Sequence, residues 1–228
     1  MKYLFVLLIS LLYLQSFAQQ MSYKEWQELA KEEIRLLPEY GNVQKSSGQI
    51  EADQKLIKDE LVAYGTYRKA SEALVMMGFN NIYSKDLKQA MYRFNQAWLL
   101  DPKNEDVYWG FGAIYFSFND SESAFKQYDK GLLLNPRSSN ILTDKATIYT
   151  GLYANTHDIS YLNKAIELFN ASYKIDPSNQ NMLFKLSVAY FYNKDCANAW
   201  KFYDECMKLG GKPISPAYTA ALKQQCNR

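Results

Sequence analysis

The chain has 228 residues, with 26 Lys and Arg against 24 Asp and Glu, and its formal charge of +2 is not gathered into a basic stripe. Phosphate backbones are held by clustered cations, so a nucleic-acid partner is not expected. One histidine and three cysteines without a CxxC pair offer no zinc ligand set, and 19 Tyr and 12 Phe beside only 10 Gly and 6 Pro favour packed helices over disorder.

The N-terminal stretch reads as an export signal over 1–18. Lys2 precedes a nearly unbroken apolar run from Tyr3 to Leu14, and Ser16-Phe17-Ala18 places small residues where a signal peptidase reads them. An uncut membrane anchor is the alternative. The run of about a dozen residues falls short of the ~20 that span a bilayer, so cleavage after Ala18 is expected. No cysteine lies near that point to carry a lipid. The mature protein is therefore expected to be exported, periplasmic or secreted, with no membrane insertion.

Residues 19–70 form an N-terminal helical extension. Trp26, Leu29, Ala30, Ile34 and Leu37 make a helical stripe over Tyr23–Leu37. A loop rich in turn residues follows over Pro38–Gly48. A second helix is expected over Ile50–Tyr64, burying Leu56, Ile57, Val62 and Ala63, with a continuation towards Met77 left open.

Self-similarity dominates residues 71–211. Three segments read Ala90-x3-Phe94-x2-Ala97-x4-Pro102, Ala124-x3-Tyr128-x2-Gly131-x4-Pro136 and Ala165-x3-Phe169-x2-Ser172-x4-Pro177, and a fourth reads Ala199-x3-Tyr203-x2-Cys206. The leading alanines are 34 (124 − 90), 41 (165 − 124) and 34 (199 − 165) residues apart. Upstream of them stand Gly78, Gly112, Ala146 and Ser187, so every one of twelve positions carries Ala, Gly, Ser or Cys. Helices approach closely only across small side chains, and these positions mark the crossings of antiparallel hairpins. The units are 71–104, 105–138, 139–179 and 180–211, the third carrying seven extra residues expected to form a loop over Tyr153–Ser160. Asp101-Pro102, Asn135-Pro136 and Asp176-Pro177 stop second helices, and Asn104, Ser138 and Asn179 follow as N-caps.

This spacing resembles the tetratricopeptide repeat family across Ser71–Gly211. The resemblance implies an all-α, right-handed superhelical solenoid of helix-turn-helix hairpins, with an N-terminal extension and a C-terminal capping helix over 212–228. It also implies a non-catalytic adaptor or scaffold for a protein or peptide, with no cofactor. The departures are Asn81, Lys145 and the insertion, all marking irregular units. Carried over residue by residue, the concave groove presents Asp106, Trp109, Ala113 and Phe116, then Asn140, Thr143, Thr147 and Thr150, then Asn181, Phe184, Val188 and Phe191. A carboxylate clamp of the chaperone-binding kind is hinted at only by Asn181 and Lys185. The groove otherwise suits a segment with hydrophobic anchors. Trp109 and Phe184 either line it or meet the N-terminal helices, and the Tyr23–Leu37 helix itself is a candidate occupant. A structural or assembly subunit of an envelope complex, using the extension and the convex surface, is the other functional reading.

Catalysis finds no support. His157 lacks a neighbouring nucleophile or carboxylate at motif spacing, and in Glu51-x-Asp53 and Lys58-Asp59-Glu60 residues one or two apart point to different faces of a helix. Asn119-Asp120-Ser121 and Asn170-Ala171-Ser172 match a glycosylation pattern that matters only in a eukaryotic secretory route. If the helix over Pro216–Gln225 folds back through the Gly210–Ser215 turn, Cys226 comes beside Cys196. A disulfide between Cys196 and Cys226 is then expected, with Cys206 a small buried residue.

Overall fold

The computed structural model describes residues 21–227, and the expected cleavage after Ala18 lies outside them. Eleven α-helices are present among the described residues, and no strand: α1 (Tyr23–Glu32), α2 (Ser47–Tyr64), α3 (Tyr67–Tyr83), α4 (Leu87–Leu100), α5 (Glu105–Ser117), α6 (Ser121–Leu134), α7 (Ser139–Thr156), α8 (Ile159–Ile175), α9 (Gln180–Tyr192), α10 (Cys196–Lys208) and α11 (Pro216–Cys226). Four hairpins, α3–α4 to α9–α10, stack in chain order.

The twelve small residues explain the stacking, because all twelve are buried. A Cβ on Gly112 would come within 2.2 Å of the Tyr128 ring, and Cβ atoms on Gly78 and Gly110 would fall 2.5 and 2.2 Å from Phe94. The aromatic of each of these second helices thus lies directly on glycine backbone of the first helices, the close approach that ridge-and-groove packing needs. Phe94, Tyr128 and Phe169 are fully enclosed there. The side chains of Asn104, Ser138 and Asn179 accept from the first-turn amides of α5, α7 and α9. Asp101, Asn135 and Asp176 end α4, α6 and α8, each followed by proline.

The insertion in the third unit is helix, not loop. α7 has 18 residues against 13 in α5, α8 has 17 against 14 in α6, and the connection is only His157 and Asp158. His157 closes α7 in the left-handed conformation (φ 58°). The extra residues extend an existing hydrogen-bonded ladder, where each adds a backbone bond without a new loop to close.

The extension differs more. α1 stops at Glu32, and a short 3₁₀ turn over Ile34–Leu36 follows. Leu36 is therefore the buried residue in place of Leu37, while Leu29 is 39% exposed. Glu39, Tyr40, Gly41 and Asn42 all take positive φ, and such left-handed runs are costly for residues with a Cβ. Buried Asn95 of α4 holds this turn: its Oδ1 accepts from the Tyr40 amide at 3.2 Å, and its Nδ2 donates to the carbonyls of Arg35 and Leu37 at 2.9 Å each. α2 begins at Ser47 behind a Ser46–Gln49 capping box and ends at Gly65, with Thr66 capping α3, so no continuous helix runs to Met77. None of its residues is buried, and Val62 is 82% exposed. Only Ile57 and Tyr64 of α2 join the core, since the helix lies along one side of α3 and α4 with Val62 and Ala63 turned outward.

Candidate functional face

The first helices α3, α5, α7 and α9 form one face. On α3, Glu72, Met76, Phe79 and Tyr83 recur one turn apart, which places them in a single stripe. Met76 is 68% and Tyr83 83% exposed. The Phe79 ring lies 4.1 Å from that of Trp109 on α5. Trp109 Nε1 donates to Asp144 Oδ2 on α7 at 2.7 Å, and Lys185 Nζ on α9 stands 3.6 Å from Asp144 Oδ1. The first helices of four successive hairpins are thus joined by one ring contact, one hydrogen bond and one ion pair.

The other residues expected on this face divide. Asp106, Phe116 and Asn140 are half-buried, and Asn181 is exposed. Burial, and then the neighbouring Glu105 charge, push the Asp106 carboxyl above its ordinary value. Thr143 is not on the surface: it is 4% exposed, and its hydroxyl lies 2.8 Å from that of Ser172. Its side chain is short, and the small Ser172 draws α8 close over it. Lys185 is committed to Asp144, so Asn181 and Lys185 do not form a free clamp. Phe184 and Phe191 lie beneath Tyr218 of α11, with ring centroids 5.4 and 5.8 Å away. Cys196 and Cys226 are disulfide-bonded with Cα atoms 5.3 Å apart, and Cys206 is buried and free.

The N-terminal segment does not occupy this face. Tyr23 stacks on Phe118 and the Trp26 ring tilts against it, Tyr23 donates to Asp120 ahead of α6, and Tyr92 of α4 donates to Glu33 at 2.6 Å. Lys130 of α6 meets Glu39 at 2.6 Å. The segment is bound by second helices and by the α5–α6 turn, so Trp109 and Phe184 contact other partners. Met76, Phe79, Tyr83 and Asp144 were not among the residues expected here. Asp144 and Lys185 are 41 residues apart (185 − 144), the interval of the expanded unit, so opposite charges at equivalent positions were the available signal.

The class this geometry defines is an all-α array with the tetratricopeptide-repeat fold. No family model and no curated protein matches the chain. Solved structures do. PilF of Pseudomonas aeruginosa is similar over 70% of this chain and 68% of its own, at 16% identity and a TM-score of 0.58. TTC0263, a thermophilic TPR protein of Thermus thermophilus, is similar over 68% of this chain and 80% of its own, at 14% identity and a TM-score of 0.56. A chain of the APC/C Cut9–Hcn1 hetero-tetramer covers 89% of this chain with 38% of its length, at 14% identity and a TM-score of 0.56. Likenesses at this identity establish the fold. Among the described residues no helix is long and apolar enough to cross a membrane.

Proposed function

We propose that the protein is an exported, non-catalytic adaptor whose first-helix face is a groove for a protein or peptide segment with hydrophobic anchors. The observation that carries this reading is the apolar ridge of Met76 and Tyr83, left exposed beside the Phe79–Trp109 pair. Exposed apolar side chains beside a rigid aromatic platform suit a partner whose own anchors complete the burial. Export is supported by the leader sequence and by the Cys196–Cys226 disulfide, a bond that persists in oxidising compartments. Asp106, Phe116, Asn140 and Asn181 would form the polar and aromatic rim.

A blocking substitution tests the groove better than truncation of Trp109, whose ring also packs. Ala113 on α5 is half-buried on the same face, and Ala113→Arg inserts a long cation there without breaking the helix. Mature protein and variant are used as bait in the native envelope fraction. Ala113→Arg and Tyr83→Glu should lose the bound partner while Lys126→Glu, on an exposed second-helix site, keeps it. Undiminished capture by both groove variants would refute the reading. It would favour the assembly subunit, for which Leu133, 84% exposed on α6, offers an apolar contact on the second-helix side.

A further inference from the structure

The C-terminal helix is held more by chemistry at its two ends than by a core. Of the eleven residues of α11 only Leu222 is buried. An isolated helix of this length is marginal in water. Its approach runs through Gly210 and Gly211, at φ 112° and 61°, conformations that glycine adopts without strain. Near its start Tyr218 enters an aromatic recess, with Phe184, Phe191 and Tyr203 at centroid distances of 5.4, 5.8 and 6.3 Å. At its end stand the disulfide, a 3.1 Å bond from Gln225 Nε2 to the Phe191 carbonyl, and a 3.4 Å bond from Trp200 Nε1 to the Cys226 carbonyl.

The Tyr218 hydroxyl is read specifically. Ser187 Oγ is fully buried and gives its single proton to the Ala199 carbonyl at 2.7 Å. The 2.6 Å contact between Ser187 and Tyr218 hydroxyls therefore requires tyrosine to donate. A phenylalanine would fill the recess but leave that acceptor position unused.

Building on the groove reading, we propose that the recess formed by Phe184, Ser187, Phe191 and Tyr203 is a binding site for a short partner helix presenting a tyrosine. α11 fills this site in cis, and reduction of Cys196–Cys226 by a dithiol reductant opens it. While the disulfide is intact, α11 is held at an effective concentration that a separate helix cannot match. One thiolate of the reductant attacks the Cys226 sulfur, breaks the S–S bond and releases Cys196 as a thiolate, which takes a proton. The second thiol then attacks the mixed disulfide, giving up its proton, and frees Cys226. The reductant leaves as a disulfide, two electrons having passed to the protein. Phe184 and Phe191 become accessible at the end of the same groove, now a helix-in-groove site with an aromatic anchor.

Two measurements on the full mature chain test this. Hydrogen exchange is followed with and without dithiothreitol, and a labelled peptide of residues 213–228 carrying Cys226→Ser is the binding probe. Reduction should speed amide exchange over α11 by roughly tenfold or more and leave α5–α8 unchanged. The probe should bind the Cys226→Ser, Tyr218→Ala chain, whose own α11 is weakened, at least about tenfold more tightly than the disulfide-bonded wild type. A probe that also carries Tyr218→Ala should lose that binding. Unchanged α11 exchange on reduction, loss of protection throughout α5–α8, or equal probe binding by both chains, including none to either, would each overturn the proposal. Capture of the natural partner by the central groove does not enter these readouts, so the two readings fail separately.

Discussion

Gly112→Ala isolates the contact on which the hairpin stack depends. The added Cβ would stand 2.2 Å from Cε1 and 2.4 Å from Cδ1 of Tyr128, where carbon contacts normally lie at about 3.5–4.0 Å. The ring cannot retreat, because Tyr128 is fully enclosed in a cluster with Ala124, Ile141 and Ile148. Overpacking of this kind costs about 1–3 kcal/mol, while replacing a mid-helix glycine by alanine returns about 1 kcal/mol of helix propensity. A 2.2 Å approach to an enclosed ring belongs at the upper end of that cost, so a net loss of about 2 kcal/mol is expected. Gly151 in α7 supplies the control, since nothing lies within 4 Å of its Cβ position and only the propensity gain of about 1 kcal/mol remains. Urea unfolding followed by helical circular dichroism should move the two midpoints in opposite directions at similar m-values. In a Tyr128→Leu background the Gly112→Ala penalty should shrink, the non-additivity that marks direct contact. Gly112→Ala as stable as the wild type would refute the packing account.

Three further outcomes follow from individual side chains. The Tyr128 hydroxyl is buried without a hydrogen-bond partner, while Phe94 and Phe169 occupy the equivalent positions; Tyr128→Phe should raise stability by about 1 kcal/mol in the same unfolding assay. Asn95→Ala strands the Arg35 and Leu37 carbonyls and the Tyr40 amide, at a cost of about 2–3 kcal/mol confined to the N-terminal segment; limited proteolysis should then cut between residues 33 and 46 while the hairpins stay intact. Acid should loosen the same segment. Burial works to raise Glu33, Glu39 and Asp120, but Tyr92 and Arg35, Lys130 and Asn42, and Ser123 and Tyr23 respectively outweigh it and hold each carboxyl below its ordinary value. A depressed carboxylate stabilises the fold above its unfolded value and loses that contribution as pH falls through its folded one. The window thus lies below the ordinary 4.5 of Glu39 and 3.8 of Asp120. Trp26 emission, isolated by difference against Trp26→Phe, should shift to the red in that window before helicity falls.

The repeat was legible because its cause is local and periodic. Small residues at Gly78, Ala90 and Ala97, repeated in step, can serve only a close helix crossing. Proline and capping residues then set the ends. The extension was less legible because its cause is neither local nor periodic. Glu39, Tyr40 and Asn42 adopt left-handed φ only since Asn95, more than fifty residues away in sequence, satisfies their neighbourhood. A single asparagine inside the apolar stripe Met91, Phe94 and Ala97 was the one available sign. On the first-helix face the fixed offsets placed Trp109, but they could not tell that Thr143 sinks beside Ser172. They also passed over Asp144, whose role emerges only when neighbouring units are read against each other.

The lengthened third hairpin carries a constraint on how such a chain can change. α7 outgrows α5 by five residues and α8 outgrows α6 by three, with one residue removed from the connection, so the surplus of seven adds about one turn to each helix at the hairpin tip. All of it lies beyond Ala146 in α7 and ahead of Ala165 in α8, so the crossing that those residues mark keeps its azimuth. Loss of one residue from the stem would instead swing every side chain beyond it by about 100° and bring polar residues to the seam. Hairpins of this kind should therefore vary in length at their tips, with changes below the crossing disfavoured by geometry itself.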